Sequence, residues 1–288
     1  MIERILVPLD GSELAEVVLP YVEYLAGRTG AGVRLFTAVA SEAERQEATS
    51  YLTAKRDRLR EAAVEATLSV TPDGEAEAIL AAADAWQADL IAMSTHGRSG
   101  VMRWVFGSVA DKIIHAQEVP PLLVVRARPE KERPAAVNIE RILVPLDGSQ
   151  LSLSILPQVE ELAKALGASL VLFSGVIPLD IYPGTEMAPA RVGGILDELM
   201  SQAQSFLAAL EKEVQGRGVK ARSVVTIGFP VDEITRVAEE VGAGLIAVAT
   251  HGRSGVNRWI MGSVADGVVR RSHLPCLMIR PEGVGGEE

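Results

Sequence analysis

The chain has 288 residues, of which 48% are hydrophobic and 23% charged, enough for two ordinary domains at roughly 150 residues each. No run approaches the roughly 18 apolar residues that span a bilayer, and MIERILVPLDG lacks the basic and then apolar stretches of a secretory signal. With 28 basic against 38 acidic residues and a net charge of −10, the field of the molecule repels phosphodiester polymers. A cytoplasmic protein with neither nucleic-acid nor membrane partner is expected. The single cysteine, Cys276, makes no internal disulfide, and His96, His115, His251 and His273 show no metal-ligand spacing. A small anion held by backbone dipoles at a helix N-terminus remains compatible with the negative charge.

In chain order, ILVPL from Ile5 reads as a buried strand. Ser12 is expected to cap the next helix, whose apolar face runs through Leu14, Val18, Tyr21 or Val22 and Leu25 until Gly27 and Gly30 stop it. VRLFTAV from Val33 is a strand, followed by a helix near residues 50–66 and a weaker strand, TLSVT, from Thr67. A helix over Glu75–Trp86 leads to the strand LIAMS from Leu90, then to a glycine loop and a helix ended by Pro120 and Pro121. LLVVR from Leu122 closes the series. Five short strands alternating with helices predict a parallel sheet covered on both faces.

The series then starts again. IERILVPLDGS, Ile2–Ser12, recurs unchanged as Ile139–Ser149, and THGRSGV, Thr95–Val101, recurs as Thr250–Val256, each time followed by Arg-Trp and GSVAD. The early blocks lie 137 residues apart (Ile5 to Ile142) and the late blocks 155 (Gly97 to Gly252), so the second copy has gained 18 residues between them. Pro178–Gly194 is the candidate insertion. The expected organisation is a first domain over 1–128, a Pro-rich charged linker over 129–138, a second domain over 139–282 and a Gly-rich acidic tail over 283–288.

In an open α/β sheet ligands sit beyond the carboxyl ends of the strands. Two loops of each copy belong there: PLDGS, with Asp10 or Asp147, and the glycine loop after the fourth strand. Gly97, Gly100 and Gly107 expose N–H groups with no Cβ in the way, and Ser108 opens a helix where an anion is favoured; Gly252, Gly255, Gly262 and Ser263 repeat this. The pattern is a phosphate cradle, yet neither the P-loop spacing nor G-x-G-x-x-G occurs.

The G-x9-G-S spacing of Gly97 with Gly107-Ser108, and of Gly252 with Gly262-Ser263, resembles the signature G-x2-G-x9-G-[ST] of the universal stress protein family. The VPLDGS openings and the five-strand alternation extend the resemblance over nearly the whole chain. It implies two tandem Rossmann-like domains of the adenine nucleotide alpha hydrolase-like type, each a five-stranded parallel sheet of order 3-2-1-4-5 with helices on both faces. It also implies ATP binding, with Mg²⁺ accompanying the nucleotide. By the same resemblance Pro8, Asp10, Pro145 and Asp147 border the nucleoside, and the backbone at Ala38 and Gly175 reads adenine. Gly97, Gly100, Gly107, Ser108 and Val109 hold the phosphates, as do Gly252, Gly255, Gly262, Ser263 and Val264 in the second copy, while Arg98, Arg103, Arg253 and Arg258 suit either a γ-phosphate contact or a solvated loop surface. One departure stands out: the first glycine of the signature is Ser94 in one copy and Ala249 in the other. Family members pair through their last strands, so LLVVR and CLMIR are expected to pair within the chain as a pseudo-dimer, with a homodimer through the insertion as a further assembly.

Other assignments compete at several positions. Asp10 and Asp147 suit either a ligand contact or an Asx turn. His96 and His251 suit a structural hydrogen bond better than proton transfer, since no nucleophile or second base accompanies them. Trp104 and Trp259, among apolar neighbours, suit packing. Ser99 lacks the G-x-S-x-G setting of a hydrolase nucleophile. Three functions follow: an ATP-binding stress-response sensor or adaptor read by a protein partner, a slow ATPase or nucleotidyl-transfer enzyme on the same sites, and an interaction module without nucleotide.

Overall fold

Apolar runs and their breakers set the elements of the computed structural model, which describes residues 1–72, 76–96, 106–116, 119–127, 136–178, 189–250 and 261–281. The first half runs β1 (Arg4–Pro8), a 3-10 turn (Ala15–Val18), α1 (Leu19–Thr29), β2 (Gly32–Val39), α2 (Glu42–Glu61), β3 (Ala66–Pro72), α3 (Ala76–Trp86), β4 (Leu90–Ser94), α4 (Ser108–Ile114) and β5 (Leu122–Val125). The second runs β6 (Arg141–Pro145), α5 (Gln150–Leu153), α6 (Leu156–Leu166), β7 (Ser169–Val176), α7 (Pro189–Gly216), β8 (Ala221–Ile227), α8 (Pro230–Glu240), β9 (Leu245–Ala249), α9 (Ser263–Arg271) and β10 (Cys276–Ile279). Most of the expected linker and all of the tail over 283–288 lie outside the described residues.

The strands form one sheet in the order β3-β2-β1-β4-β5-β10-β9-β6-β7-β8. Each half is thus a parallel 3-2-1-4-5 unit, and the halves join where β5 and β10 pair antiparallel, Leu123 opposite Leu277. Alternate strand residues serve opposite faces. Ile5, Val7, Val33 and Leu35, with their copies Ile142, Val144, Leu170 and Leu172, pack under α1, α2, α6 and α7. Leu6, Phe36, Ile91 and Met93, with Leu143, Phe173, Ile246 and Val248, pack under α3, α4, α8 and α9. Because the join is antiparallel, the carboxyl ends of the two half-sheets point to opposite edges of the molecule.

Several boundaries differ from expectation for identifiable reasons. The helix expected from Ser12 divides into the 3-10 turn and α1, which begins with Pro20 in its first turn, where a missing N–H costs nothing. Gly27 lies inside α1, and Gly30, left-handed at φ 75°, is the residue that ends it. Helix α2 begins at Glu42, not near residue 50, because Ser41 Oγ accepts the Glu44 N–H (3.4 Å) while Glu44 Oε2 accepts the Ala40 N–H (3.2 Å). Helix α4 ends at Ile114, well before Pro120. Helix α7 starts at Pro189, so the end of the Pro178–Gly194 segment is helical, and residues 179–188 lie outside the described residues.

Candidate functional site

Strand β1 lies between β2 and β4; α1 and α2, which serve the β2 side, cover one face of the sheet while α3 and α4, which flank β4 in the chain, cover the other, so a crevice opens at the carboxyl end of β1. Strand β1 brings Pro8 there, with Asp10 just beyond; β2 brings Ala38, β4 brings Ser94, and the start of α4 brings Gly107, Ser108 and Val109. All seven line one cleft of about 510 Å³, a size suited to small organic ligands. Its floor is fixed by cross-strand bonds: the Leu9 N–H donates to Phe36 O (2.8 Å), and the buried Thr37 hydroxyl donates to Leu9 O (2.5 Å). The Gly107 N–H donates to Thr95 O (2.9 Å) and holds the entry to α4 against the end of β4.

Asp10 serves its own turn while it lines the cleft. Its Oδ1 accepts the Ser12 N–H (2.9 Å) and hydroxyl (2.6 Å), and Ser12 Oγ accepts the Ala15 N–H (3.1 Å). Asp147 repeats the arrangement with Ser149 (3.0 and 2.6 Å), whose Oγ accepts the Ser152 N–H (3.1 Å). The Asx turn expected as one alternative is present in both copies. It does not exhaust a carboxylate, which offers about four lone-pair sites.

Ser94, the first departure from the glycine signature, is 6% exposed. Its Oγ accepts the His96 N–H at 3.4 Å, so the hydroxyl also engages its own loop. His96 Nδ1 lies 2.9 Å from Thr95 Oγ1, which also accepts the Ala127 N–H (3.1 Å). The structural hydrogen bond anticipated for His96 is therefore made on one side of the ring. On the other, Nε2 is buried without a hydrogen-bond partner among the described residues, although the ring lines the cleft.

The second half sets Pro145 at the end of β6, Asp147 after it, Gly175 in β7, Ala249 at the end of β9, and Gly262, Ser263 and Val264 at the start of α9. The Leu146 N–H donates to Phe173 O (2.8 Å) and the Gly262 N–H to Thr250 O (2.7 Å), reproducing the Leu9–Phe36 and Gly107–Thr95 bonds of the first half. Gly97, Arg98, Ser99, Gly100, Arg103 and Trp104 lie outside the described residues. So do His251, Gly252, Arg253, Gly255, Arg258 and Trp259.

Sequence reasoning missed the outer wall of the first cleft, which α2 supplies through Glu44, Glu47, Ala48 and Tyr51. The S-x-x-E capping box at Ser41 was the signal that would have started this helix early enough to bring them there. Among the described lining residues, Asp10, Glu44 and Glu47 are the acids, and neither lysine nor arginine accompanies them. Among the described residues no group of three His, Cys, Asp or Glu is arranged for a metal ion, and no helix is long and apolar enough to cross a membrane.

Comparison with known proteins returns one family. The model of the Universal stress protein family matches residues 1–126 and 138–280. A universal stress protein of Methanocaldococcus jannaschii is 29% identical over 142 residues, which are 49% of this chain and 82% of that protein. One from Mycobacterium tuberculosis is 25% identical over 255 residues, 83% of this chain and 78% of that protein. The crystal structure of a universal stress protein from Archaeoglobus fulgidus superposes with a TM-score of 0.75 at 19% identity, over 96% of this chain and 98% of that one. With two matched segments that follow the internal repeat and a shared tandem fold, the chain belongs to the universal stress protein family.

Proposed function

We propose that this protein binds an adenine nucleotide, ATP accompanied by Mg²⁺, at the carboxyl ends of its half-sheets and acts as a nucleotide-dependent sensor or adaptor in a cytoplasmic stress response. The observation that carries the proposal is the convergence of Pro8, Asp10, Ala38, Ser94, Gly107, Ser108 and Val109 on a single cleft of about 510 Å³. In this assignment Pro8 and Asp10 border the nucleoside, the Ala38 backbone meets the base, and Gly107, Ser108 and Val109 offer N–H groups and a hydroxyl to the phosphates. Gly97, Arg98 and Gly100 complete the phosphate contacts. The second cleft uses Pro145, Asp147, Gly175, Ala249, Gly252, Arg253, Gly255, Gly262, Ser263 and Val264 in the same roles. The buried His96 Nε2, without a hydrogen-bond partner among the described residues, gives further support, because such an atom is satisfied when a ligand group reaches it. Asp10, Glu44 and Glu47 make the case for the cation: three carboxylates repel a bare polyphosphate, and Mg²⁺ offsets them. Signalling is a population shift, limited by the difference in ATP affinity between the two states that a partner reads.

The test is calorimetric titration of nucleotide-free protein with Mg-ATP, Mg-ADP and AMP, beside Ser108→Asp, Ser263→Asp and the double variant. Aspartate suits the first turn of a helix, so the fold is kept, but it places a negative charge against the phosphates. Saturable Mg-ATP binding that each variant weakens at least tenfold at its own site, a difference of about 1.4 kcal/mol, is the expected result. Sustained product release would move the assignment to a slow ATPase or nucleotidyl-transfer enzyme. Absence of binding at millimolar nucleotide would leave an interaction module in which Ser94 and Ala249 mark the change.

A further inference from the structure

Because the two halves are copies, a space open in one half can be compared with its counterpart in the other. A second cavity, of about 300 Å³, opens between the halves at the amino ends of β1 and β5, on the side of the first half-sheet away from the cleft. Ile2, Pro121, Leu162, Leu277 and Ile279 give it apolar walls, and Glu161 and Ala165 face it from α6. Helix α6 is the copy of α1, and the residues of α1 that correspond to Glu161 and Ala165 are Tyr24 and Arg28.

Tyr24 and Arg28 fill the counterpart space. The Ile139 N–H donates to Tyr24 Oη (3.3 Å), and Arg28 Nη1 donates to Leu166 O (3.3 Å) across the junction between the halves. The guanidinium lies 5.2 Å from the centre of the Tyr24 ring, a cation–π stack. Beneath this plug Ile139 is 1% exposed, whereas its copy Ile2 is only partly buried. The phenol and guanidinium that close one space are missing from the other. A carboxylate stands where the phenol would be and a methyl group where the guanidinium chain would start.

We propose that this cavity is a binding site for a small amphipathic cation, an aromatic ring that carries an amine, amidine or guanidinium. The apolar walls take the ring in the place of Tyr24, and Glu161 takes the cation. Glu161 Oε2 pairs at 2.9 Å with the Met1 ammonium, which also lines the cavity, so the carboxylate already holds a cation there and a bound ligand takes that ammonium's place at a largely solvent-facing group. Asp89, the other acid of the cavity, is committed to the chain: its Oδ2 accepts the N–H groups of Glu3 (3.0 Å) and Arg4 (2.9 Å). The site is independent of the nucleotide clefts.

Tyramine, a phenol bearing an amine, is the probe, titrated into the full-length protein and followed by amide NMR shifts and calorimetry. One saturable site per chain is expected, with shifts centred on Ile2, Leu162 and Leu277. Phenol, which lacks the cation, binds at least tenfold more weakly, and Glu161→Gln weakens tyramine by a similar factor. The double variant Glu161→Tyr, Ala165→Arg writes the plug of the counterpart into the cavity and abolishes binding; Ala165→Met, a smaller filler, serves if that variant does not fold. Undiminished binding by a folded filled variant would overturn the proposal, as would no saturation of the wild type at millimolar tyramine.

Discussion

Cys276 begins β10 at 1% exposure, with Sγ 3.6 Å from Leu274 O. Burial pushes its thiol from 9 up to about 12, an effect only partly offset by a hydrogen bond with Ser272. A thiol kept protonated is a poor nucleophile, so a disulfide reagent at pH 8 leaves the native protein unlabelled and titrates one thiol per chain after denaturation. The same shift links stability to pH. The unfolded thiol loses its proton near 9 and the folded one only near 12, so its contribution is complete below 9 and falls as pH rises toward 12. The loss is at most about 1.4 kcal/mol per pH unit. Urea midpoints at pH 8 and pH 10.5 check this: Cys276→Ala is expected to lose less stability across the interval than the wild type, and equal losses would mean that the native thiol ionises freely.

At the scale of elements, the copies have kept their strands and changed their helices. Helix α2 presents Glu44, Glu47 and Tyr51 to the first cleft, and behind them Glu16 accepts from the Tyr51 hydroxyl (3.0 Å) and Lys55 Nζ (2.6 Å). The corresponding residues of the second half are Leu199, Gln202 and Phe206, with Leu153 and Leu210 in place of Glu16 and Lys55. Positions that are anionic on α2 are neutral at the corresponding places on α7. Glu44→Gln with Glu47→Gln is therefore expected to tighten Mg-free ATP binding at the first cleft severalfold at low salt and to do less in 0.5 M salt, where the Debye length shrinks to a few ångströms. Glutamine retains the capping contact, which keeps α2 in place. Calorimetry with and without Mg²⁺ measures the change, and an unaltered affinity would remove these acids from the ligand's surroundings.

The same helices explain what could be read from sequence. Strand ends were legible because VPLDGS and THGRSG tie short apolar runs to turn residues, and these place Pro8, Asp10 and Ser94 at one edge of the sheet before any packing is known. The α2 wall was not legible from apolar spacing, since Leu52 and Leu59 are the only buried residues of the helix and most of the others are charged, polar or alanine. Its start was written in a local cap, while its approach to the cleft depends on the tertiary fold. The Tyr24–Arg28 plug was equally hidden: its partners Ile139 and Leu166 lie in the other half, and nothing near α1 in sequence marks them.

At the scale of the whole molecule, the antiparallel join of β5 and β10 turns two half-sheets into one sheet whose two carboxyl ends point to opposite edges. No single ligand of nucleotide size reaches both, so coupling between them has to cross the join. Side chains beside it reach across. The Arg270 guanidinium of α9 lies 4.3 Å from the centre of the Phe106 ring, immediately before Gly107 and Ser108, and Arg280 Nη2 donates to Ala116 O (3.1 Å). Leu123 and Leu277 face each other in the ladder and belong to the core beneath α1 and α6. The full chain is therefore expected to unfold in one calorimetric transition, because each half buries part of its core only against the other. Leu277→Asp places an unpaired carboxylate in that core, at a cost of several kcal/mol. It should divide the transition, with the half that contains β10 unfolding first. Two transitions in the wild type would mean that the halves are stable independently, and would remove the shared core as the means by which the proposed nucleotide site of one half reports to the other half.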